Sequence, residues 1–106
     1  MMNQLLNDNG KQLPTFLFAE NDAIAIGALR ALQEADIAVP DQISIVGFND
    51  SKVAKYVYPP LSSIRVDTRE MGRTGVSLLL DRIAYPRKIS KKISLSTEWI
   101  KRASTK

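Results

Sequence analysis

Two short polar clusters contain the residues of this chain whose types and spacing are suited to chemistry. Asn21 and Asp22 follow one apolar run, and Asn49 and Asp50 follow another. If both runs are strands of a parallel sheet, both clusters lie at its carboxyl edge, where open α/β sheets bind ligands. Two carboxylates at that edge could act as a general acid and base, and two amides could bind ligand hydroxyls.

Each of these side chains also has a simpler structural explanation. Asn21 can cap the helix that follows it, and Asp22 would be favoured by the dipole of that helix. Asn49 can serve as a cap, and Asp50 can cap a helix that begins near Ser51. The chain has no His and no Cys, and it lacks a G-x-S-x-G elbow and a P-loop, so an enzyme or a nucleotide site would lack its usual motifs. Spacing alone leaves ligand contact and helix capping open.

The elements that would position the clusters form a strand–helix–strand unit. Thr15–Ala19 is predicted as a buried strand, and Ile43–Phe48 as a strand covered on both faces. The helix between them ends near Asp36 and is apolar on more than one face, which predicts contact with the sheet and with a partner subunit. Gly27 in this helix predicts close packing. The predicted apolar stripe is Ile24, Ala28, Ala31, Leu32 and Ala35.

The rest of the chain continues the α/β pattern. The predicted elements are a short helix at 51–58, an extended segment at 61–66, a long helix from a capping box at Asp67 to about Tyr85, and a strand at 92–97. Met1–Leu6 has the pattern of the last turns of another helix. Trp99 and Ile100 are predicted as apolar anchors before a frayed tail.

Composition indicates an ordinary soluble domain. The chain has 106 residues, of which 44% are hydrophobic, and no apolar run reaches the roughly 20 residues of a membrane helix. Without Cys or His we expect no disulfide and no zinc site, and a cytoplasmic location is allowed. The net charge is +4 and the positive charge is concentrated in late basic residues. No aromatic residue interleaves with Arg87 to Lys92, which favours a solvated loop and tail over a nucleic-acid surface. The late basic residues are Arg82, Arg87, Lys88, Lys91, Lys92, Lys101, Arg102 and Lys106.

Longer motifs carry a family resemblance. The chain contains A-x-N-D followed by G-A-L-R-A-L, then V-P-x-x-I-S-I-V-G-F-x-D, then P-P-L-[ST]-[ST]-I-R, with x-x-M-G near the start of the long helix. Over about Pro14–Arg102 it resembles the lactose/galactose repressor (LacI/GalR) family of bacterial transcription regulators. The resemblance implies an α/β fold class with Rossmann-like parallel-sheet layers, as in a periplasmic-binding-protein-like (type I) effector domain, present here in part.

The resemblance also implies how the chain divides between the two lobes of that domain. Residues 1–66 would belong to the C-terminal lobe, 67–98 would be the long helix and a strand that cross to the N-terminal lobe, and 99–106 would return. The helix-turn-helix of the family matches nothing in this chain, so operator DNA would be bound only through an N-terminal domain outside it. Effector would shift the populations of lobe arrangements through the crossings near Arg65 and Trp99.

Site residues follow from the same resemblance. A small-molecule effector, expected to be a sugar, would bind Asn21 and Asn49. Val66, which would also face the cleft, and Thr68 beside it would complete the ligand-binding residues. Many sugar-binding members have Asp where this chain has Asn49, so the identity of the sugar stays open. Asp36 stands where the family usually has a helix-ending Gly. A homodimer or higher assembly would use Ala25, Leu29, Val53, Tyr56 and Val57.

A periplasmic sugar-binding transport protein is the alternative function, and an enzyme is the third. The P-P-L-S-S-I-R block favours the regulator, and an enzyme would lack a nucleophile–base set. We expect no catalytic residue, no metal, no cofactor and no membrane partner. An upstream helix-turn-helix would indicate the regulator, whereas a secretion signal would indicate transport.

Overall fold

The computed structural model describes residues 12–86 and 89–106. The predicted helix at Met1–Leu6 and the basic residues Arg87 and Lys88 lie outside this part of the chain. The chain divides into two compact units, one of residues 12–65 together with Glu98–Lys106 and the other of Val66–Thr97. Neither helix in the described ranges has the length and hydropathy that a membrane crossing requires.

The first unit is built on a four-stranded mixed sheet. Its strands, in spatial order, are β1 (Phe16–Phe18), β2 (Ser44–Phe48), β3 (Ser62–Arg65) and β4 (Glu98–Ile100). β1, β2 and β3 are parallel, and β4 is antiparallel to β3, so the predicted α/β class is confirmed. A 3-10 helix, Lys52–Lys55, follows β2 and is shorter than the predicted helix at 51–58. The carboxyl ends of the three parallel strands meet at one edge of the sheet.

Helix α1 (Asp22–Glu34) joins β1 to β2 and packs on one face of the sheet. Its buried residues are Asp22, Ala25, Ala28, Leu29, Ala31 and Leu32. Leu32, Ile43, Ile45 and Leu61 are fully buried at the centre of the core. Burying one such aliphatic side chain contributes roughly 1.5–3 kcal/mol, so this layer is the main source of stability.

The buried face of α1 differs from the predicted stripe. Ile24 is 40% exposed, because Asp22 and Ala25 face the sheet in its place. The described part of the chain supplies no close packing at Gly27, since a Cβ added there would meet none of its atoms within 4 Å.

Helix α1 ends in a Schellman motif. The Ile37 amide donates to the Leu32 carbonyl at 2.9 Å, and the Asp36 amide donates to the Gln33 carbonyl at 3.1 Å. Asp36 has φ of 56°, in the left-handed region. The helix therefore ends near Asp36, as predicted, in a conformation that glycine adopts at lower cost.

The two strands flanking α1, β1 and β2, differ in burial. β2 is buried along Ser44–Gly47, as predicted for a strand covered on both faces. The prediction that β1 is buried is wrong for Phe16 and Phe18, which are 53% and 54% exposed. β1 lies at the sheet edge, and α1 packs against the face that Leu17 occupies. On the other face, the Phe18 ring contacts the Phe48 ring edge-on with centroids 6.5 Å apart.

The C-terminal tail is docked, and the prediction of a frayed tail is wrong. Ser104 is fully buried and Thr105 is 8% exposed. The Ser104 hydroxyl donates to the Ile45 carbonyl at 2.6 Å and accepts from the Ser62 amide at 2.8 Å. The tail therefore supplies hydrogen bonds to β2 and β3, whereas Trp99, predicted as an apolar anchor, is 49% exposed.

The second unit consists of helix α2 (Thr68–Ala84) and the segment that follows it. The predicted cap is confirmed, because Asp67 accepts a hydrogen bond from the Glu70 amide at 2.9 Å. No residue of α2 is buried. The predicted strand at 92–97 is wrong, since those residues pair with no strand in the described parts of the chain, and β4 begins only at Glu98.

Candidate functional site

An open cleft of about 610 Å³ lies at the carboxyl edge of β1 and β2. Its volume is in the range of small-molecule sites, which are about 300–1,000 Å³. The lining combines amides and a carboxylate with apolar side chains, and consists of Asn21, Asp22, Ala23, Ile26, Phe48, Asn49, Ser51 and Val53. Asn21, Asp22 and Asn49 of the two polar clusters expected at one sheet edge therefore line one cleft, whereas Asp50 does not.

Asn21 is positioned by the start of α1. Its Oδ1 accepts a hydrogen bond from the Ile24 amide at 2.9 Å, so the predicted helix cap is confirmed. Capping and ligand contact do not exclude each other, because the side-chain NH2 group remains a double donor. Asn21 can thus cap the helix with its oxygen and face the cleft with its nitrogen.

Asn49 is positioned by the turn after β2. Its backbone amide donates to the Ile64 carbonyl at 2.8 Å, and its φ is 93°. Asp50 follows with φ of 50°. Two consecutive left-handed residues other than glycine are uncommon, and such conformations concentrate at functional sites. The turn presents the Asn49 side chain to solvent at the cleft.

Asp22 joins three elements at the base of the cleft. It is 2% exposed, its Oδ1 accepts from the Ser63 hydroxyl at 2.7 Å, and its Oδ2 accepts from the Ser51 amide at 2.5 Å. Gly47 makes this approach possible, because a Cβ on that residue would collide with Asp22 Oδ1. The position of Asp22 in the first turn of α1 explains its dipole interaction but did not reveal these partners.

Asp50 is enclosed by two arginines. Its Oδ2 lies 2.8 Å from Arg65 Nη2 and its Oδ1 lies 2.7 Å from Arg102 Nη1. Arg102 Nη1 also donates to the Leu61 carbonyl at 2.8 Å, and its contact with Asp50 Oδ1 is an ion pair outside hydrogen-bond geometry. Burial by itself would raise the pKa of Asp50, but the contacts and charges of Arg102 and Arg65 outweigh it, and the pKa lies below its ordinary value.

The arginine pairing changes two expectations. The Asp50 carboxylate is occupied by guanidinium groups, so it is available neither as a general base nor as a helix cap. Arg102, predicted to lie in a solvated tail, has a side chain only 16% exposed. Both residues serve to anchor the turn after β2 to the end of the sheet.

The remaining predicted site residues belong to both units. Val66 is half-buried and Thr68 is exposed, and both belong to the second unit. Ala25 and Leu29, predicted to face a second subunit, are 0% and 2% exposed and pack in the core, so they have no surface to offer. The rest of that set lies nearer the surface: Val53 is 47% exposed, Tyr56 is 76% exposed, and Val57 is half-buried.

Several residues near the cleft were not singled out as site residues from the sequence. Ala23, Ile26, Phe48 and Ser51 line it, and Ser63 supports it from β3. The signal for Ser63 was present in the Ser-Ser pair of P-P-L-S-S-I-R, because adjacent strand residues point to opposite faces and one of the two must face α1. Which of them does so depends on register and could not be read from the pair alone.

Comparison with known proteins agrees with this architecture. The pattern of the periplasmic binding protein-like domain family matches residues 1–105. The HTH-type transcriptional regulator GalR of Streptococcus thermophilus is 53% identical over 98 residues, which are 92% of this chain and 30% of that protein. The chain thus spans about a third of the length of that relative.

Two solved structures are similar over nearly the whole chain. A LacI family transcriptional regulator from Enterococcus faecium with bound ribose has a TM-score of 0.78 at 36% identity, covering 98% of this chain and 37% of that one. The lac repressor dimer bound to operator and the anti-inducer ONPF has a TM-score of 0.86 at 33% identity, covering 98% and 35%. The chain belongs to the LacI/GalR family of bacterial transcription regulators and carries part of their periplasmic-binding-protein-like domain.

Proposed function

We propose that this chain is the effector-binding and dimerisation region of a bacterial transcription repressor, and that its effector is a sugar. The observation that carries the proposal is the placement of Asn21 and Asn49 on one cleft of about 610 Å³. The regulator from Enterococcus faecium, which shares the fold, holds ribose. Operator binding, by contrast, would depend on a domain outside this chain, in a cytoplasmic protein.

The chemistry of the cleft suits a polyhydroxylated ligand. The NH2 group of Asn21 and the whole amide of Asn49 offer donors and an acceptor for sugar hydroxyls. Ile26 and Phe48 line the same cleft and can pack against the C–H faces of a sugar ring. Val66 and Thr68 are added to the proposed ligand contacts by family resemblance.

The proposed dimer surface uses Val53, Tyr56 and Val57. The Tyr56 ring, 76% exposed, has the Lys55 ammonium 5.3 Å from its centroid. Exposed aromatic side chains of this kind are enriched at interfaces. We leave Ala25 and Leu29 out of the proposed dimer surface because their side chains are buried in the chain itself. The lac repressor, to which this chain is similar, was solved as a dimer.

A thermal-shift screen of the full-length protein tests the sugar proposal. Ribose, galactose, lactose and cellobiose are added separately, and a sugar that binds the native state must raise Tm in a concentration-dependent manner. Isothermal titration of the sugar that binds then compares wild type with Asn49→Ala. We expect the affinity to fall about tenfold or more, which corresponds to the free energy of one or two hydrogen bonds.

Gln12→Ala is the matched control for this titration. It removes an exposed amide that does not line the cleft, so the affinity should be unchanged. A protein whose Tm responds to none of the sugars, or an N49A variant that binds as well as Q12A does, would contradict the proposal.

A further inference from the structure

The turn at Asn49–Ser51 directs three consecutive backbone N–H groups into the fold. Asn49 N donates to the Ile64 carbonyl at 2.8 Å, and Asp50 N donates to the Ser63 hydroxyl at 3.0 Å. Ser51 N donates to Asp22 Oδ2 at 2.5 Å. Because every amide of the turn is taken up by the scaffold, the turn offers the cleft side chains, those of Asn49 and Ser51, and no free N–H group.

Ser63 is the central residue of this arrangement. It is fully buried, and its hydroxyl accepts from the Asp50 amide while donating to Asp22 Oδ1 at 2.7 Å. A hydroxyl can donate and accept at once, and alanine can do neither. One side chain therefore links the left-handed turn of Asn49 to the first turn of α1, which begins at the cap residue Asn21.

The left-handed backbone of the turn needs such external support. Asn49 at φ of 93° and Asp50 at φ of 50° occupy conformations that persist only when the surroundings impose them. The arginines hold the Asp50 side chain, but they do not bond the amides of the turn. Without the Ser63 hydroxyl, the Asp50 amide would lose its acceptor, and the peptide between Asn49 and Asp50 would lose the hydrogen bond that fixes its orientation.

We propose that Ser63 is a positioning residue for ligand binding, which presets both asparagines of the cleft by bridging the Asp50 amide to the Asp22 carboxylate. The inference rests on the proposed function, in that the cleft must bind a sugar. Ser63 itself does not line the cleft. Its effect on affinity is exerted through the geometry of Asn49 and Asn21, so that the ligand meets amides already in place.

The test uses two serine-to-alanine variants with matched chemistry. Ser104 is also fully buried, and its hydroxyl likewise accepts from one backbone amide and donates to one oxygen, but those partners are Ser62 and Ile45. Ser63→Ala and Ser104→Ala therefore each remove one bond accepted from a backbone amide and one donated bond, which goes to the Asp22 carboxylate beneath the turn and to the Ile45 carbonyl at the tail. Each is expected to lower Tm, which controls for a merely structural role.

The first measurement is amide hydrogen exchange by NMR, without ligand. In wild type and S104A the Asp50 amide should be protected, and in S63A it should exchange at least about tenfold faster, as expected for loss of one buried hydrogen bond. Ser63→Cys keeps the size of the side chain with a weak donor and acceptor, and provides the same measurement if S63A does not fold. Continued protection of Asp50 in the folded S63 variant would overturn the inference.

The second measurement is calorimetric titration of the full-length protein with whichever of ribose, galactose, lactose or cellobiose it binds. S63A should lose about tenfold in affinity, whereas S104A should bind as wild type does. Equal affinities for S63A and wild type would overturn this inference and leave the proposed function standing. Failure of the wild type to bind any of the four sugars would overturn the proposed function, and the inference with it.

Discussion

The two compact units of the chain differ in how they bury their helices. In the first unit, α1 has buried residues along its length and closes a core with Leu32, Ile43 and Ile45 all at 0% exposure. In the second, α2 is longer, yet none of its residues is buried. Its apolar stripe is 58–68% exposed, at Val76, Leu79, Leu80 and Ile83. Apolar periodicity in a helix thus does not by itself imply a core; a second layer must be present to cover it.

The polar residues follow the same division. Asp22, Ser63 and Asp50 in the first unit have buried partners, and together they hold the turn that carries Asn49. In the second unit, ion pairs such as Arg73–Glu70 at 3.6 Å are largely exposed to solvent. Exposed pairs of this kind contribute about 0–1 kcal/mol, whereas buried charged hydrogen bonds contribute more and hold a geometry.

The largest effect should come from truncating a leucine in the core. Leu32→Ala in α1 should cost about 2–5 kcal/mol in the free energy of unfolding, because it leaves a cavity in the packed layer. The matched change Leu79→Ala in α2 should stay within about 0.5 kcal/mol, because that side chain is 59% exposed. Urea denaturation measures the free energy of unfolding of both variants. Equal losses would show that α1 and α2 do not differ in burial.

The next largest effect concerns the close approach of α1 to β2. Gly47→Ala should cost about 1–3 kcal/mol, since the added Cβ collides with Asp22 Oδ1. Gly72→Ala in α2 meets nothing within 4 Å, so it should stabilise the protein by about 0.5–1 kcal/mol through helix propensity. Thermal melts of the two variants should shift in opposite directions, and a gain in Tm for G47A would refute the packing argument.

A charge-removing pair sharpens the electrostatic comparison. Asp50→Asn should cost about 1–3 kcal/mol at neutral pH, because Arg102 loses its buried counter-charge. Glu70→Gln in α2 should change stability by less than about 0.5 kcal/mol. Chemical denaturation at pH 7 measures the free energy of unfolding of both variants. Equal losses in the two would contradict the electrostatic comparison.

The same Asp50 variant carries a pH signature. The folded-state pKa of Asp50 is depressed, so its stabilisation is fully present above the unfolded value of about 3.9 and is lost as pH falls through the folded pKa. The stability difference between wild type and D50N should therefore shrink as pH is lowered from about 5. A difference that stays constant over that range would exclude linkage to Asp50.

The smallest effect is expected at the helix ends. Asp36→Gly should stabilise the protein by about 0.5–1 kcal/mol, because Asp36 has φ of 56° where glycine is unstrained. Tyr85→Gly at the end of α2 should give no gain, since Tyr85 has φ of −131°. Differential scanning calorimetry resolves shifts of this size, and a loss in D36G would indicate that the Asp36 side chain itself stabilises the helix end.

Most of the fold and part of the site could be predicted from local patterns. The cap at Asn21, the helix end at Asp36 and the cap at Asp67 are consequences of neighbouring residues only, and all three were confirmed. The buried face of α1 was shifted, because Ile24 and Ala25 both fit an apolar stripe and only the sheet selects between them. The strand expected at 92–97 failed because a strand requires a partner that no local pattern can supply.

Family membership, the α/β class and the common edge of Asn21 and Asn49 could be established from the order of residues alone, because motif, period and capping are short-range properties. The Asp22–Ser63 bridge, the pairing of Asp50 with Arg65 and Arg102, and the docking of Ser104 could not. Those contacts join residues 15 to 59 positions apart, and their register and distance are set by packing rather than by neighbours in sequence. The amides that face the cleft could be identified from the sequence, whereas the contacts that hold them in place could be identified only from the tertiary structure.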